Sequence, residues 1–331
     1  MTSAWRDGIR RVNGAPALLL GVWALTLLVS VPMAAAMRGM LAQHLGASLA
    51  ADTAASGVNY DWMQEFTDQA AGLGVTFRPT ILGFGAVLDN LSAFIDNTMR
   101  PVVIVAAATV YIVLWIFVAG GIIDRYARER PTRTVGFFAS SGVFFFRFLR
   151  LAAVQWIVYA LLFGWLHPLV FGRLYPDMVR EIPVERTAFA IRAALYLVFG
   201  LLVATCTSIF DYAKVRAVVE DRRSMLSATA QAIGFIRRNL REAAALFLAN
   251  FALFTAVVAL YAFAAPGAGR TGASMWLGFA IGQIYVIARL WVKLVFWASE
   301  TALFQSRLAH AGYVNRPEPL WPESPEAEAI S

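Results

Sequence analysis

The stretch VVIVAAATVYIVLWIFVAGGIID, Val102 to Asp124, decides the fold. Residues 102–123 carry no charge, and Asp124 and Arg125 close the run. At 1.5 Å per residue, a helix of that length crosses a hydrocarbon core of ~30 Å. Five further apolar runs lie at 15–37, 149–171, 189–210, 243–264 and 275–298. Composition agrees, with 59% hydrophobic and 15% charged residues, where a soluble chain carries about 25% charge. The sequence predicts an all-α, polytopic membrane bundle of six transmembrane helices, with interfacial amphipathic helices and a helical outer cap.

Orientation follows from the cations by the positive-inside rule. With the N-terminus inside, the inner segments hold 18 Lys and Arg and the outer segments 7, the rest lying within spans. Both termini are therefore expected in the cytoplasm. The net charge of +7 is a topological signal. No soluble module with a basic face is present, so nucleic acid is not expected as a partner. The single cysteine, Cys206, sits in the fourth run and leaves no intrachain disulfide possible. Arginine outnumbers lysine 26 to 2, a habit of GC-rich bacterial genomes, and the bacterial cytoplasmic membrane is the expected location. Arg10-Arg11, the apolar run after them, Pro32 and Ala34 to Ala36 also fit a cleavable secretory leader. The run from Ala15 to Met37 is longer than such a leader needs, which favours a retained first span.

The expected organisation is a cytoplasmic N-terminus (1–14), a first span (15–37), an outer helical loop (38–101), a five-helix region (102–298) and a cytoplasmic tail (299–331). Beyond about residue 313 the tail is rich in Pro and Glu and cannot bury a core, so it is expected to be disordered. In the outer loop, Ile81, Phe84, Leu88, Leu91 and Phe94 follow helical spacing. Asp61 is placed to cap a short helix carrying Trp62, Met63 and Phe66. Either the membrane surface or an external partner suits this cap.

Within 102–298 the segments 102–171 and 189–264 share a layout: span, acid, basic linker, amphipathic inner segment, arginine cluster, span. This reads as a parallel internal repeat. In the first unit Phe137 to Phe146 leads into Arg147 and Arg150. In the second, Ser224 opens a helix whose stripe is Leu226, Ala230, Ile233 and Leu240 and whose end carries Arg237, Arg238 and Arg241. Such a helix is expected to lie flat at the cytoplasmic interface, its arginines reaching headgroup phosphates.

Each inward-running span ends with an acid: Asp124, Asp211 and Glu300. A carboxylate at a helix C-terminus opposes the helix dipole unless a cation pairs with it. The expected arrangement is a rim of ion pairs with the neighbouring arginines. A second candidate is an intramembrane polar site of Gln283, Arg289, Lys293 and Glu300. Arg289 and Lys293 are one turn apart on one face. Arg289 lies about 21 Å along the helix from Met275, in the inner third, whereas Lys293 can snorkel to the interface. Gly278 and Gly282 have the small-xxx-small spacing of a close helix contact.

Gly267-Ala268-Gly269-Arg270-Thr271-Gly272 has the spacing of a dinucleotide fingerprint, but it lacks the preceding strand and the ribose-binding acid. His44, His167 and His310 fall in three separate segments and cannot gather a metal in one chain. His167 is expected at the membrane interface. No metal, cofactor or catalytic set is assigned.

The segment Asp211-Tyr212-Ala213-Lys214-Val215-Arg216, followed by Ser224 and Arg237-Arg238-Asn239, resembles a broad group of six-helix bacterial inner-membrane proteins. In layout it is similar to the membrane domain attached to some glycerophosphodiester phosphodiesterases, over about 100–250. No phosphodiesterase barrel is present, so that activity is not carried over; the resemblance implies an all-helical integral membrane module and no established activity. The leading expectation is a non-enzymatic scaffold or accessory subunit that engages anionic lipid, a membrane-protein partner or a second copy of itself. The alternative is a transporter or flippase-like permease with a polar path near Arg289.

Overall fold

The computed structural model describes residues 2–46, 48–56, 59–81, 83–129, 131, 133–267 and 272–309. All regular structure among them is helical. In chain order the helices are α1 (Thr2–Asn13), α2 (Pro16–Leu45), α3 (Ala51–Ser56), α4 (Tyr60–Gln69), α5 (Gly83–Ile95) and α6 (Val102–Arg128). They continue with α7 (Thr134–Val179), α8 (Glu185–Val219), α9 (Met225–Arg238), α10 (Leu240–Ala264) and α11 (Ala273–Ala309). Six of them, α2, α6, α7, α8, α10 and α11, are long and apolar enough to cross a membrane. The chain is an all-α, multi-pass membrane bundle. Arg130, His310, Arg316, the core of the fingerprint-like segment and the Pro/Glu-rich tail lie outside the described residues.

Two span ends differ from expectation. Helix α7 runs unbroken from Thr134, so the segment Phe137 to Phe146 is the first part of the span and not a separate interfacial helix. No proline interrupts it until Pro168, where the helix loosens into π turns at Leu162–Leu166 and Val170–Leu174. Helix α11 does not stop near 298 but continues to Ala309. Residues 299–309, taken as the start of the tail, contain no Gly or Pro, and Ser299 to Phe304 are buried. The second unit keeps its break: α9 and α10 are separated at Asn239, whose φ is −121° and ψ 35°.

The ends of the bundle that carry α1, α9 and the Arg-rich turns form a basic face; the other ends form a loop face. The core lies in the half next to the basic face. Ile122, Ile123, Tyr126, Leu151, Val215, Leu246, Leu294 and Phe304 are fully buried there. Two close approaches build it. A Cβ on Gly120 would lie 2.6 Å from Phe144 Cβ, and one on Gly121 would lie 2.8 Å from the Phe137 carbonyl oxygen, so α6 and α7 meet backbone to side chain. Helix α1 lies along α11, where a Cβ on Gly8 would come within 2.6 Å of Ser299 Cβ. Gly278, in contrast, approaches only the ring of Pro266, and Gly282 faces open space. Their small-xxx-small spacing therefore makes no close helix–helix seam.

Toward the loop face the helices splay. Trp156, Phe189, Leu197, Leu201, Leu248, Leu260 and Phe263 are all mostly exposed to the surroundings of the chain, the arrangement of side chains that meet lipid. The loop itself is a small folded cap. Asn59, not Asp61, caps α4, its Oδ1 accepting from the Trp62 N–H at 3.0 Å. Trp62 and Phe66 are buried among His44 and Phe77, with Trp62 Nε1 donating to His44 Nδ1 at 3.0 Å. Helix α5 leaves Leu88, Leu91 and Phe94 about half exposed. It is tied to the spans by polar bonds: His167 Nε2 to the Ile95 carbonyl (2.8 Å), and Tyr196 O–H donating to Asp96 (2.6 Å). His167 is therefore a buried tether at the loop-face end of its span. The bond from Tyr196, with further help from Ser92 and Arg192, holds the Asp96 carboxyl below the ordinary carboxylate range.

Candidate functional site

Asp211 lies on α8 as that helix nears the basic face. Its Oδ1 accepts from Lys214 Nζ at 2.8 Å and from Trp297 Nε1 at 3.2 Å. The Trp297 ring meets Trp115 edge to face at 5.5 Å between centroids. The Lys293 ammonium lies 3.6 Å from the Trp115 ring centroid and 5.6 Å from that of Trp297. Lys214 lies 5.6 Å from the Trp297 centroid. Lys293 thus does not snorkel away. Helical side chains lean toward the N-terminus of their helix, which brings the Trp297 ring, one turn further along α11, back toward Lys293. A cation that stays exposed on a tryptophan face, as Lys293 does, gains about 0.5–1 kcal/mol.

Beneath this cage Glu300 is buried at 4% exposure, and its Oε2 has no hydrogen-bond partner among the described residues. The charges of Asp211 and Lys214 act on it. The Tyr212 hydroxyl beside it is also buried without a partner. Arg289 stands one turn above Lys293, exposed, its guanidinium 5.7 Å from the Tyr285 ring centroid. Gln283 is elsewhere. Six residues turn a helix by about 240°, and its Oε1 accepts from Trp23 Nε1 of α2 at 3.0 Å. The four polar residues picked out on the last span therefore do not form one site. Lys293 and Glu300 join the cluster around Trp297, Arg289 sits above it, and Gln283 closes a different seam.

Of the three span-end acids only Asp124 pairs with an arginine; Asp211 takes Lys214, and Glu300 has no ion pair among the described residues. Asp124 is held by Arg128 Nε (2.8 Å) of its own helix and by the Ser140 hydroxyl (2.9 Å). Arg147 pairs with Asp221 (2.5 Å), a turn residue with φ +50°. Glu220 takes Arg216 and Arg222, each at 2.9 Å, and Glu242 takes Arg307 at 2.6 Å. Arg150 reaches only its own helix carbonyl at Phe146 (3.3 Å). Arg237, Arg238 and Arg241 are exposed and make no ion pair or hydrogen bond with any described residue.

Sequence reading missed α1. Arg11, 7% exposed in its side chain, pairs with Asp7 and Glu129, both at 2.7 Å. It also donates to the Tyr126 carbonyl and to Gln305 Oε1, both at 2.7 Å. Gln305 Nε2 in turn donates to the Ala127 carbonyl at 2.8 Å. The orphan carbonyls at the C-terminus of α6 are thereby satisfied from two other helices. Arg10 also contacts Asp7. Higher up, Trp5 Nε1 donates to Asn250 Oδ1 (3.0 Å), and Asn250 Nδ2 to Ser299 Oγ (2.9 Å). The available signal was the spacing of Ala4, Gly8 and Val12, the three buried residues of α1.

The chain matches no protein-family model, no curated protein and no solved structure.

Proposed function

We propose that this chain is a non-enzymatic membrane protein that organises anionic lipid at the cytoplasmic leaflet of a bacterial inner membrane, with its basic face and both termini in the cytoplasm. The observation that carries the reading is a cluster of arginines without carboxylates. Arg11, Arg128, Arg147, Arg216, Arg222 and Arg307 each have a carboxylate. Arg237, Arg238 and Arg241 have none among the described residues, as is true of Arg6, Arg125, Arg133 and Arg223, but the first three are clustered and exposed at one helix junction. Cations near an anionic surface gain about 1 kcal/mol each.

Helix α9 supports the same reading from its two sides. Met225, Ala228 and Ala232 pack into the protein, while Leu226, Ile233 and Leu240, the stripe read from sequence, are exposed. An exposed apolar stripe ending in free arginines suits a helix lying in the headgroup boundary. A permease needs Gln283, Arg289 and an acid around one cavity, and Gln283 is engaged on another seam. The layout shared with the membrane domain of some glycerophosphodiester phosphodiesterases fits a helical module of this kind.

The test is native mass spectrometry of the protein released gently from its own membrane. Anionic lipid should remain bound and be lost from the Arg237→Gln/Arg238→Gln/Arg241→Gln variant. A stoichiometric protein partner in place of lipid, or lipid retention equal in the two forms, would contradict the reading.

A further inference from the structure

Arg289 and Lys293 pose a problem that the surface arginines do not. They lie one turn apart on α11, within a membrane-crossing helix, and neither has a carboxylate partner among the described residues. Their like charges act on each other. Lys214 adds a third cation close by, and the nearby acid Asp211 is already bonded to Lys214 and Trp297. Intramembrane cations without a partner face water or a ligand as a rule.

The direction of the two side chains shows where that ligand sits. Tyr285, one turn above Arg289, stacks on Tyr261 of α10 at 3.9 Å between centroids. Lys293, one turn below, lies against Trp115 of α6 and near Asp211 of α8. Arg289 therefore points into the seam between α10 on one side and α6 and α8 on the other. Helices α8 and α10 barely touch each other, so the seam is open sideways. Lys293 is exposed, with its ammonium on the Trp115 ring at the inner side of the seam.

We infer that this seam is a binding site for an anionic oxygen group, a phosphate or carboxylate, entering from the lipid between α8 and α10. Arg289 makes the outer contact by its forked N–H donors. Lys293 closes the inner side, its charge held in place by the two indoles. Tyr285 and Tyr261 form an amphipathic wall for the first part of an acyl chain or glycerol. The shared chemistry is the anion; the lateral opening makes a phospholipid headgroup its source, with free phosphate the other source.

The experiment uses the full chain in phosphatidylcholine nanodiscs doped with phosphatidylglycerol, with bound lipid counted by native mass spectrometry over a titration. Wild type should hold one phosphatidylglycerol more tightly than the rest. Arg289→Gln/Lys293→Gln should weaken that one lipid by about tenfold or more, the scale of a lost charge-assisted contact. Arg289→Lys, which keeps the charge, should retain most of it and shows that the seam is still folded. Arg237→Gln/Arg238→Gln/Arg241→Gln should keep this lipid while losing weaker ones, which separates the seam from the surface reading above. In pure phosphatidylcholine discs, ³¹P line broadening by added inorganic phosphate, absent in the double variant, would support the site with a soluble anion as its source. A tight lipid that survives in the double variant, or no anion held in either arm, overturns the inference.

Discussion

The half of the bundle next to the basic face and the half next to the loop face are made of the same helices, yet they are held together differently. Near the basic face, Gly8, Gly120 and Gly121 admit neighbouring helices while Gly136, Gly142 and Gly234 face open space, Arg11 and Gln305 close the end of α6, and Asn250 and Ser299 bond inside the core. Near the loop face, Gly164, Gly172, Gly200 and Gly282 have open space around them, and large apolar side chains point outward. In lipid there is no hydrophobic drive between helices, so close packing and hydrogen bonds decide where they touch. The comparison teaches that this protein concentrates its close packing and its buried carboxylates at one end.

Removing Arg11 breaks that end most severely. Arg11→Ala leaves the Tyr126 carbonyl, Gln305 and Glu129 without their shared donor, and a loss of about 3 kcal/mol is expected. It should show as a lower thermal midpoint in nanodiscs, with Arg180→Ala as the control. The Arg180–Asp177 pair lies exposed near the loop face, so its loss should change stability by ~0.5 kcal/mol or less.

The glycines give the next largest contrast. Gly8→Ala and Gly121→Ala each force backbone or Cβ contacts under 3 Å, and overpacking of that kind costs about 1–3 kcal/mol. Gly200→Ala meets nothing and should be neutral or stabilising by up to about 1 kcal/mol, since alanine is the better helix former. Equal effects at all three positions would remove the distinction between the halves.

The smallest effect is expected at Asp96, in the tether between α5 and α8. Its folded-state affinity for protons is lowered, first by the Tyr196 hydrogen bond. The tether's contribution is then complete above the unfolded carboxylate value of about 3.9 and is lost as pH falls through the lower folded value. Hydrogen exchange over residues 92–98 should be flat from neutral pH to about 5, after correction for intrinsic rates, and should rise in stronger acid. Asp96→Asn should remove that acid dependence.

Six spans and the concentration of arginine between them were legible because both are one-dimensional signals: run length and charge. The buried cage was legible only in part. Asp211, Lys293 and Glu300 stood out as charges in apolar context, but Trp115 and Trp297, which bring them together, look in sequence like any other span aromatics. The helix end at 134–148 was missed because phenylalanines interrupted by Gly136, Ser140-Ser141 and Gly142 read equally well as an interfacial segment. The one at 299–309 was missed because a polar stretch without Gly or Pro is indistinguishable from a linker until a neighbour packs on it. Helix α1 was missed for the same reason: its buried face is three small or medium residues, Ala4, Gly8 and Val12. Asn59 and Asp61 are both good caps, and only the backbone turn at Asn59 chose between them.

The most direct test of the account compares two sets of cations at the same face. Spin-labelled phosphatidylglycerol and phosphatidylcholine would be measured at the protein boundary by electron paramagnetic resonance for two triple variants. One is Arg237→Gln/Arg238→Gln/Arg241→Gln; the other is Arg128→Gln/Arg147→Gln/Arg222→Gln, whose arginines are already paired. The account predicts that only the first variant loses its preference for phosphatidylglycerol, by several-fold, while the second keeps that preference and loses stability. An equal loss in both variants, or in neither, would contradict it.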